Sequence, residues 1–463
     1  MRTSKARLVV WGCASAALCV LLARLTEARG YELVLALGVG ACILFFAGAA
    51  PELSLYVLLA ALPYSFRFIF ARQTELQVPS EPIAAALLCA YLFDRLVLHA
   101  QGRKAEAHPL RLPLIAYALA LALAASQSDR LLVSAKNAAR STAYIGLAFS
   151  FYALLRRPAV FRGAVAALTA GGAVAAGVMT VLLASRFELL AHSSAYRDAL
   201  FTDYTGYGAY LTIFLLPLIS FALFDADSRS RRPWRWGLLG LFGFSMLFCW
   251  SRGAWASLFA GVLFLMFQKS GISNRRKWLI ACVGLSLAAA AALIPAAREA
   301  VVGRVLSIFD PSYASNRARL LRWGYALEMF WSQPVLGYGP GSFAQSYVNE
   351  AFLGYAGQFN LGAHNIYLQT LAETGLVGFA ALAWLGAAFY RYAFRLANRL
   401  DDSYWRAWVL GLTAVQTSFW VSFLVGAPLS RDIVSVPFWG IFGALPAVEA
   451  LANAAKNPPP PQK

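Results

Sequence analysis

Charged residues are scarce in this sequence. They make up 13% of its 463 residues, where a soluble globular chain carries about 25%. Hydrophobic side chains account for 60%, and the mean hydropathy is +0.59. So little charge cannot cover a folded surface in water, which excludes a soluble enzyme and a disordered protein. Cysteine is sparse as well. Cys13, Cys19, Cys42, Cys89, Cys249 and Cys282 all fall inside apolar stretches. None has the spacing of a disulfide framework or a metal site, so they read as small lipid-phase residues. Acidic residues number 22 against 40 basic ones, for a formal charge of +18. In a soluble protein that excess would point to nucleic acid. Here it reads as basic loops that set membrane topology, with no nucleic-acid partner. Apolar and polar residues do not alternate along the runs, which excludes an outer-membrane barrel.

What the chain has is long apolar runs. They lie near 7–25, 31–50, 52–70, 80–99, 111–126, 131–155, 163–185, 207–224, 235–250, 253–268, 278–297, 366–394, 405–426 and 432–452. Runs 111–126 and 253–268 are short for a hydrocarbon core of about 30 Å. The class is therefore an all-α polytopic membrane protein with about 12–14 transmembrane helices. The first run follows a basic start and lacks a small-residue cleavage site, so it reads as a retained anchor. With the N-terminus inside, the inside loops and their flanks hold about 24 of the 40 basic residues. They include Arg229, Arg231, Arg232 and Arg235, and Lys269, Arg275, Arg276 and Lys277. Both termini are thus expected in the cytoplasm.

The organisation that follows is a multi-span region over 1–297 with a first outside loop at 186–206. A long outside loop over 298–365, C-terminal spans over 366–452 and a proline-rich tail over 453–463 complete it. A loop as long as 298–365 in a compact protein is usually functional. Within it, Ser315 to Ser332 reads as an amphipathic helix, with Leu320, Leu321, Leu327 and Phe330 near helical spacing and Pro334 beyond its end. The turn-rich string Gly-Tyr-Gly-Pro-Gly-Ser-Phe follows at 337–343.

Four histidines are present. His99 and His108 belong to a basic inside loop and read as solvated. His192 lies in the first outside loop. His364 closes the long loop at the start of an apolar helix, where the helix dipole disfavours imidazolium and a neutral ring can take a hydroxyl proton. The bland alternative is a cap or packing role. Glu373 lies nine residues on, half a helical turn off His364. It is therefore read first as a helix-tying carboxylate. Arg197, Arg252, Lys136 and Arg140 fall toward the outside face. Arginines and a histidine there, short of carboxylates, look like an anion site, and guanidinium suits a pyrophosphate. For each arginine alone, interface snorkelling is the plainer reading. Asp225-Ala226-Asp227 imitates a metal–sugar-phosphate motif but falls on the inside. The outside loops lack clustered carboxylates, so no metal site is expected.

The strings 322–343, Arg-Trp-Gly-Tyr to Gly-Ser-Phe, and 364–379, His-Asn-Ile-Tyr-Leu-Gln-Thr-Leu-Ala-Glu-Thr-Gly-Leu-Val-Gly-Phe, resemble the O-antigen ligase and polymerase superfamily. Ser251-Arg252-Gly253 resembles its Ser-Arg-Gly element. Residues 196–211 resemble its arginine-led segment, departing from it in the missing glycine and in Asp-Tyr-Thr-Gly at 203–206 in place of Pro-Asn. The resemblance covers about 196–394. It implies a C-type glycosyltransferase-like fold and a periplasmic active site in a Gram-negative inner membrane. The implied donor is an undecaprenyl-pyrophosphate-linked glycan, used without cofactor, nucleotide sugar or metal. Carried over by position, His364 activates the acceptor hydroxyl. Arg197 and Arg252 bind the pyrophosphate; Lys136 and Arg140, outside the resembling stretch, are further candidate ligands by their charge alone. Asn365, Tyr338, Glu373, Arg319 and Arg322 are candidates for supporting roles.

The single long outside loop and modest C-terminus favour an O-antigen ligase, with lipid A–core oligosaccharide as acceptor and metal-independent inverting attack. Lipopolysaccharide biosynthesis is the implied setting. An O-antigen polymerase or a protein O-oligosaccharyltransferase are the alternatives. A transporter of lipid-linked glycan is the reading from another class; it would place ionisable residues near the midplane in repeated halves.

Overall fold

A computed structural model of the chain describes residues 31–70, 74–102, 106–185, 204–225, 233–249, 251–268, 310, 312–351, 362–426, 429 and 431–456. Fourteen α-helices are present among them. They are α1 (Tyr31–Ala49), α2 (Pro51–Ala61), α3 (Ser80–Ala100), α4 (Arg111–Ser126), α5 (Leu131–Leu155), α6 (Pro158–Ser185) and α7 (Tyr204–Phe224). Then follow α8 (Pro233–Leu247), α9 (Arg252–Met266), α10 (Ala314–Ser332), α11 (Ser342–Ala351), α12 (Ile366–Arg399), α13 (Ser403–Ser422) and α14 (Asp432–Lys456). Five stretches are long and apolar enough to cross a membrane: Ser80–Ala100, Pro158–Leu182, Thr205–Phe224, Ile366–Arg399 and Asp432–Lys456. Gly40–Ala49, Arg111–Ser126 and Arg252–Met266 are shorter apolar helices. The chain is a polytopic all-α membrane protein in class. The apolar runs 7–25 and 278–297 and residues 186–203 of the first outside loop lie outside the described residues.

One run departs from the expectation. Residues 52–70 do not form a single span. Helix α2 stops at Ala61, a 3-10 turn covers Leu62–Tyr64, and the chain then forms a hairpin of β1 (Phe66–Phe70) and β2 (Thr74–Val78). The strands pair antiparallel from Phe66 opposite Val78 to Phe70 opposite Thr74. Pro63 lacks an N–H and cannot continue a helix interior. Beyond it the aromatic and β-branched residues of Phe-Arg-Phe-Ile-Phe suit a strand. A hydropathy window sees only that they are apolar.

Burial sorts the helices into centre and rim. The most apolar windows of α7 and α14 are 89% and 78% covered by protein, against 28% for α3 and α6. Lipid tails are as apolar as leucine, so helix association depends on close packing and polar ties. Close packing is visible where α14 meets α5: a Cβ on Gly443 would run into the Ala148 carbonyl. Between α13 and α14 the contact is aromatic, with the Phe423 and Phe438 rings 5.0 Å apart and Trp420 5.3 Å from Phe438.

At the end of the bundle that holds the α3–α4 turn, polar groups tie the elements together. Lys456 Nζ lies 2.9 Å from Asp401 Oδ2. Ser403 Oγ donates to Asp225 Oδ1 at 3.4 Å, so the carboxylate that begins the Asp-Ala-Asp string is a packing group. His108 corrects an expectation here. It is 3% exposed, not solvated. Its Nδ1 accepts from Leu110 N at 3.0 Å, and Nε2 lies 3.1 Å from the Phe442 carbonyl oxygen. The ring is therefore the neutral tautomer with its proton on Nε2, and burial pushes its pKa down to about 4.

Candidate functional site

The other end of the bundle gathers the helix termini that carry the chemistry. Asn365 caps α12, its Oδ1 accepting from Leu368 N at 3.1 Å. That is the ordinary use of Asn at this position, satisfying an amide the helix leaves open. His364 precedes the cap with φ of 53°. This is the left-handed region, rare for a non-glycine residue. Ile366 N donates to the Phe423 carbonyl at 2.9 Å, which fixes this corner against the last turn of α13.

Arg252 reaches the same turn from another side. Ser251 caps α9, accepting from Ala254 N at 3.3 Å, and Arg252 is the first helical residue. Gly253 follows because a Cβ there would stand 3.2 Å from Val425 just past α13. Ala254 is small because Gly208 of α7 packs onto its methyl. The Ser-Arg-Gly-Ala string is thus a cap, a guanidinium and two close approaches. Ile366 and Gly253, close in sequence to His364 and Arg252, thus meet Phe423 and Val425 at one end of α13.

The arginine is held by α10. Its Nη2 donates to Ser315 Oγ at 2.8 Å and to Asn316 Oδ1 at 3.2 Å. Its guanidinium carbon lies 5.0 Å from the centre of the Tyr313 ring, a cation–π geometry. Arg319 Nη1 donates to the same Asn316 oxygen at 3.3 Å. Arg322 stands 5.9 Å from the Tyr347 ring, beside a small core of Ala326, Met329, Phe343, Tyr347, Ala363 and Ala372, onto which Tyr338 and Leu368 pack. This core links α10, α11 and the start of α12.

The glycine-rich turn is threaded into a break in α12. Gly375 has φ of 59° and ψ of −160° inside the helix. Across the break, Tyr338 N and Gly339 N donate to the carbonyls of Ala372 and Glu373 at 3.1 and 2.8 Å. Leu376 N and Val377 N donate to Pro334 and Val335 at 2.8 and 3.2 Å. The opened helix groups are satisfied by the inserted turn, as buried amides must be. Glu373 Oε1 accepts from Phe343 N and from Gln369 Nε2, both at 3.3 Å. It ties the turn to the helix and is not bonded to His364 in these contacts. Arg130 Nη1 donates to Gln345 Oε1 at 2.8 Å, adding the start of α5 to the assembly.

Arg140 does not join this cluster, contrary to the expectation. Its Nε lies 2.8 Å from Glu81 and its Nη2 3.8 Å from Asp432. Asp432 is fully buried and accepts from Ser80 Oγ at 2.5 Å and from the Tyr144 hydroxyl. Its N–H donates to Gln77 Oε1 at 2.9 Å. A buried carboxylate needs such company. The network pins the hairpin, α3, α5 and α14 together. Lys136, a turn earlier on α5, is exposed. Arg197 and His192 lie outside the described residues. Among the described residues, no three His, Cys, Asp or Glu side chains gather as a metal ligand set.

Sequence reasoning missed Tyr313, Ser315 and Asn316, the groups that orient Arg252. Ser and Asn at a helix start look like ordinary caps, and nothing in their spacing announces a contact with α9. It also missed Glu81 and Asp432 as partners of Arg140.

A family model described as O-antigen ligase matches residues 237–383. That span contains Arg252, α10, the glycine-rich turn, His364 and Glu373. No curated protein matches the chain significantly.

Proposed function

From the match of residues 237–383 to the O-antigen ligase family model, we propose that the chain transfers a glycan from undecaprenyl pyrophosphate to the lipid A–core oligosaccharide. The reaction takes place at the periplasmic face of a Gram-negative inner membrane, with both termini in the cytoplasm. The observation that carries the reading is that the segments bearing His364 and Arg252 meet the same corner just past α13, Ile366 at Phe423 and Gly253 at Val425.

His364 accepts the proton of the acceptor hydroxyl. The hydroxyl oxygen attacks the anomeric carbon of the donor sugar from the face opposite the phosphate, so the configuration inverts. The carbon–oxygen bond to phosphate breaks, and its electron pair leaves with undecaprenyl pyrophosphate. Arg252, and Arg197 by its motif, bind the pyrophosphate and stabilise the charge that grows on it. A guanidinium suits this because it stays protonated and presents paired N–H donors. Positioning by general base and fixed cations needs no further group in this scheme.

The test is a purified reaction with undecaprenyl-pyrophosphate glycan and lipid A–core as the only substrates, in EDTA. Wild type should yield glycan-bearing lipid A–core, and His364→Ala should yield none at equal expression. Longer lipid-linked chains with no ligated product would make it a polymerase. Loss of activity with EDTA, restored by a divalent ion, would overturn the metal-independent scheme.

A further inference from the structure

Helix α10 has two apolar sides. Ala326 and Met329 are buried in the small core that links it to α11 and α12. Leu320, Leu327 and Trp331 are exposed, Trp331 at 74%. With Gly324 they recur at the i, i+4, i+7 and i+11 spacing of one helical face, and a Cβ on Gly324 would meet nothing. Arg317 and Glu328 border this face, and Leu321 lies beyond them. Past the end of α10 the strip continues into Val335, which is 60% exposed. Val335 is bonded through its carbonyl to Val377 N, so the strip runs on to Leu376 and Val377 of α12, both exposed. A surface in water rarely carries so continuous an apolar strip.

The neighbouring spans give the depth of this strip. From Gly375 to Arg391, α12 carries no charged residue, which is about 24 Å of helix and most of a hydrocarbon core of about 30 Å. Gly375 and the segment 334–339 bonded across it therefore stand near the edge of that core. The start of α10 is held by Arg252, the first residue of α9, through Ser315 and Asn316. Helix α9 runs beside α12, with Phe264 6.0 Å from Phe394. Counting back equally from that pair sets Arg252 level with Leu382, about 10 Å of helix from Gly375. Both ends of α10 are thus tied near one depth, while its 19 residues span about 28 Å. The helix runs along the membrane surface rather than away from it. We propose that α10 lies in the headgroup–acyl boundary of the lipid leaflet at this end of the bundle, with Leu320, Leu327, Trp331 and Val335 seated on acyl chains beside Leu376 and Val377. The occupant is lipid because the strip is continuous with the exposed apolar side of a membrane span. Leucine and tryptophan bordered by charged residues also make up an interfacial helix. Arg317 and Glu328 keep their charges among the headgroups, and Leu321 faces water. The seat sets the depth of Ser315 and Asn316, and through them of Arg252, whatever group the chain transfers.

The experiment uses the full-length protein in phosphatidylcholine nanodiscs, in a cysteine-free background. The single variants Leu320→Cys, Leu321→Cys, Leu327→Cys, Val335→Cys and Leu376→Cys each carry one nitroxide. Its collision rates are measured with oxygen, which concentrates among acyl chains, and with a nickel chelate, which stays in water. The oxygen-to-chelate ratio at positions 320, 327 and 335 should match that at 376, the lipid reference, and exceed that at 321 several-fold. Ratios no higher than at 321 would leave the face in water and overturn the proposal. Low rates with both reagents would mean that protein covers the face, with dipolar broadening between labels marking a second copy, and either result overturns it. Should the cysteine-free protein fail to fold, wild type in nanodiscs holding a diazirine-bearing phosphatidylcholine decides. Photoadducts within 320–335 are expected, and adducts confined to the membrane spans would overturn the seat. Neither readout uses glycan transfer, so a failure of the proposed reaction and a failure of the lipid seat are told apart.

Discussion

A histidine in the left-handed region is a local expense accepted for its position. A non-glycine residue at φ of 53° gives up on the order of 1 kcal/mol. His364→Gly removes both the strain and the imidazole. We expect its melting temperature to equal or exceed that of wild type, while transfer falls to background. Transfer near the wild-type rate in this variant would sink the general-base assignment. Arg252 gives a second contrast. Its bonds to Ser315 and Asn316 use Nη2, and a guanidinium presents a planar fork of donors where an ammonium is a point charge. Arg252→Lys keeps the charge but not the fork, so it should lose most of the donor affinity that Arg252→Ala loses. Steady-state donor KM in the three proteins checks this, and a fully active Lys variant would refute paired recognition. Both residues stood out in the sequence because each sits in a string resembling the superfamily's, Ser251-Arg252-Gly253 and the segment that begins at His364. Arg140 was misgrouped because its carboxylate partners are remote in sequence. Nothing local in Glu81 or Asp432 says that they converge.

At the scale of elements, α12 is two helices in one apolar run. The break at Gly375 receives the turn segment 334–339, and four backbone hydrogen bonds cross it. A Cβ on Gly375 would run into the Val335 carbonyl, and its φ and ψ suit glycine only. Gly375→Ala should cost about 2–4 kcal/mol and lower transfer, because the glycine-rich turn and His364 share this support. Gly386→Ala is the control. Its Cβ would meet Trp420 at 3.6 Å, ordinary contact, and mid-helix alanine is favourable. Thermal unfolding in detergent distinguishes them; equal melting temperatures would mean the inserted turn does not depend on the break. The periodicity of the sequence located α10 within a residue of its observed start and placed the turn after it. It did not reveal the break, because one glycine in an apolar helix is tolerated and carries no signal of a turn inserted from elsewhere. The hairpin at 66–78 was hidden for a related reason: its aromatic residues satisfied a hydropathy window meant for helices.

At the scale of the whole molecule, the two ends of the bundle have different chemistry. One end carries Arg252 and Arg319 on the Asn316 oxygen, together with the Arg140, Glu81 and Asp432 network. The other carries matched pairs, Lys456 with Asp401 and Arg156 with Glu106. In the topology proposed above, the end with Lys456 and Arg156 faces the cytoplasm. A cysteine placed at Leu321 in a cysteine-free background should react with an impermeant maleimide in intact cells, and one at Asp402 only after lysis. The reverse pattern would invert the topology and remove the periplasmic site. The matched end also holds His108, which gives the fold a dependence on pH. Burial lowers its pKa from an ordinary 6.5 to about 4. Between those values the unfolded chain binds a proton that the folded chain excludes, so stability rises with pH. This contribution is intact above pH 6.5 and is lost as pH falls toward about 4, by an amount on the order of 3 kcal/mol. Below that both states are protonated and the group adds no further slope. His108→Gln can still donate to the Phe442 carbonyl but does not titrate. Its stability curve between pH 6.5 and 4 should be flatter than that of wild type, measured by unfolding in detergent at several pH values. Parallel curves would show that protonation of His108 is not what the acid side of the profile reports.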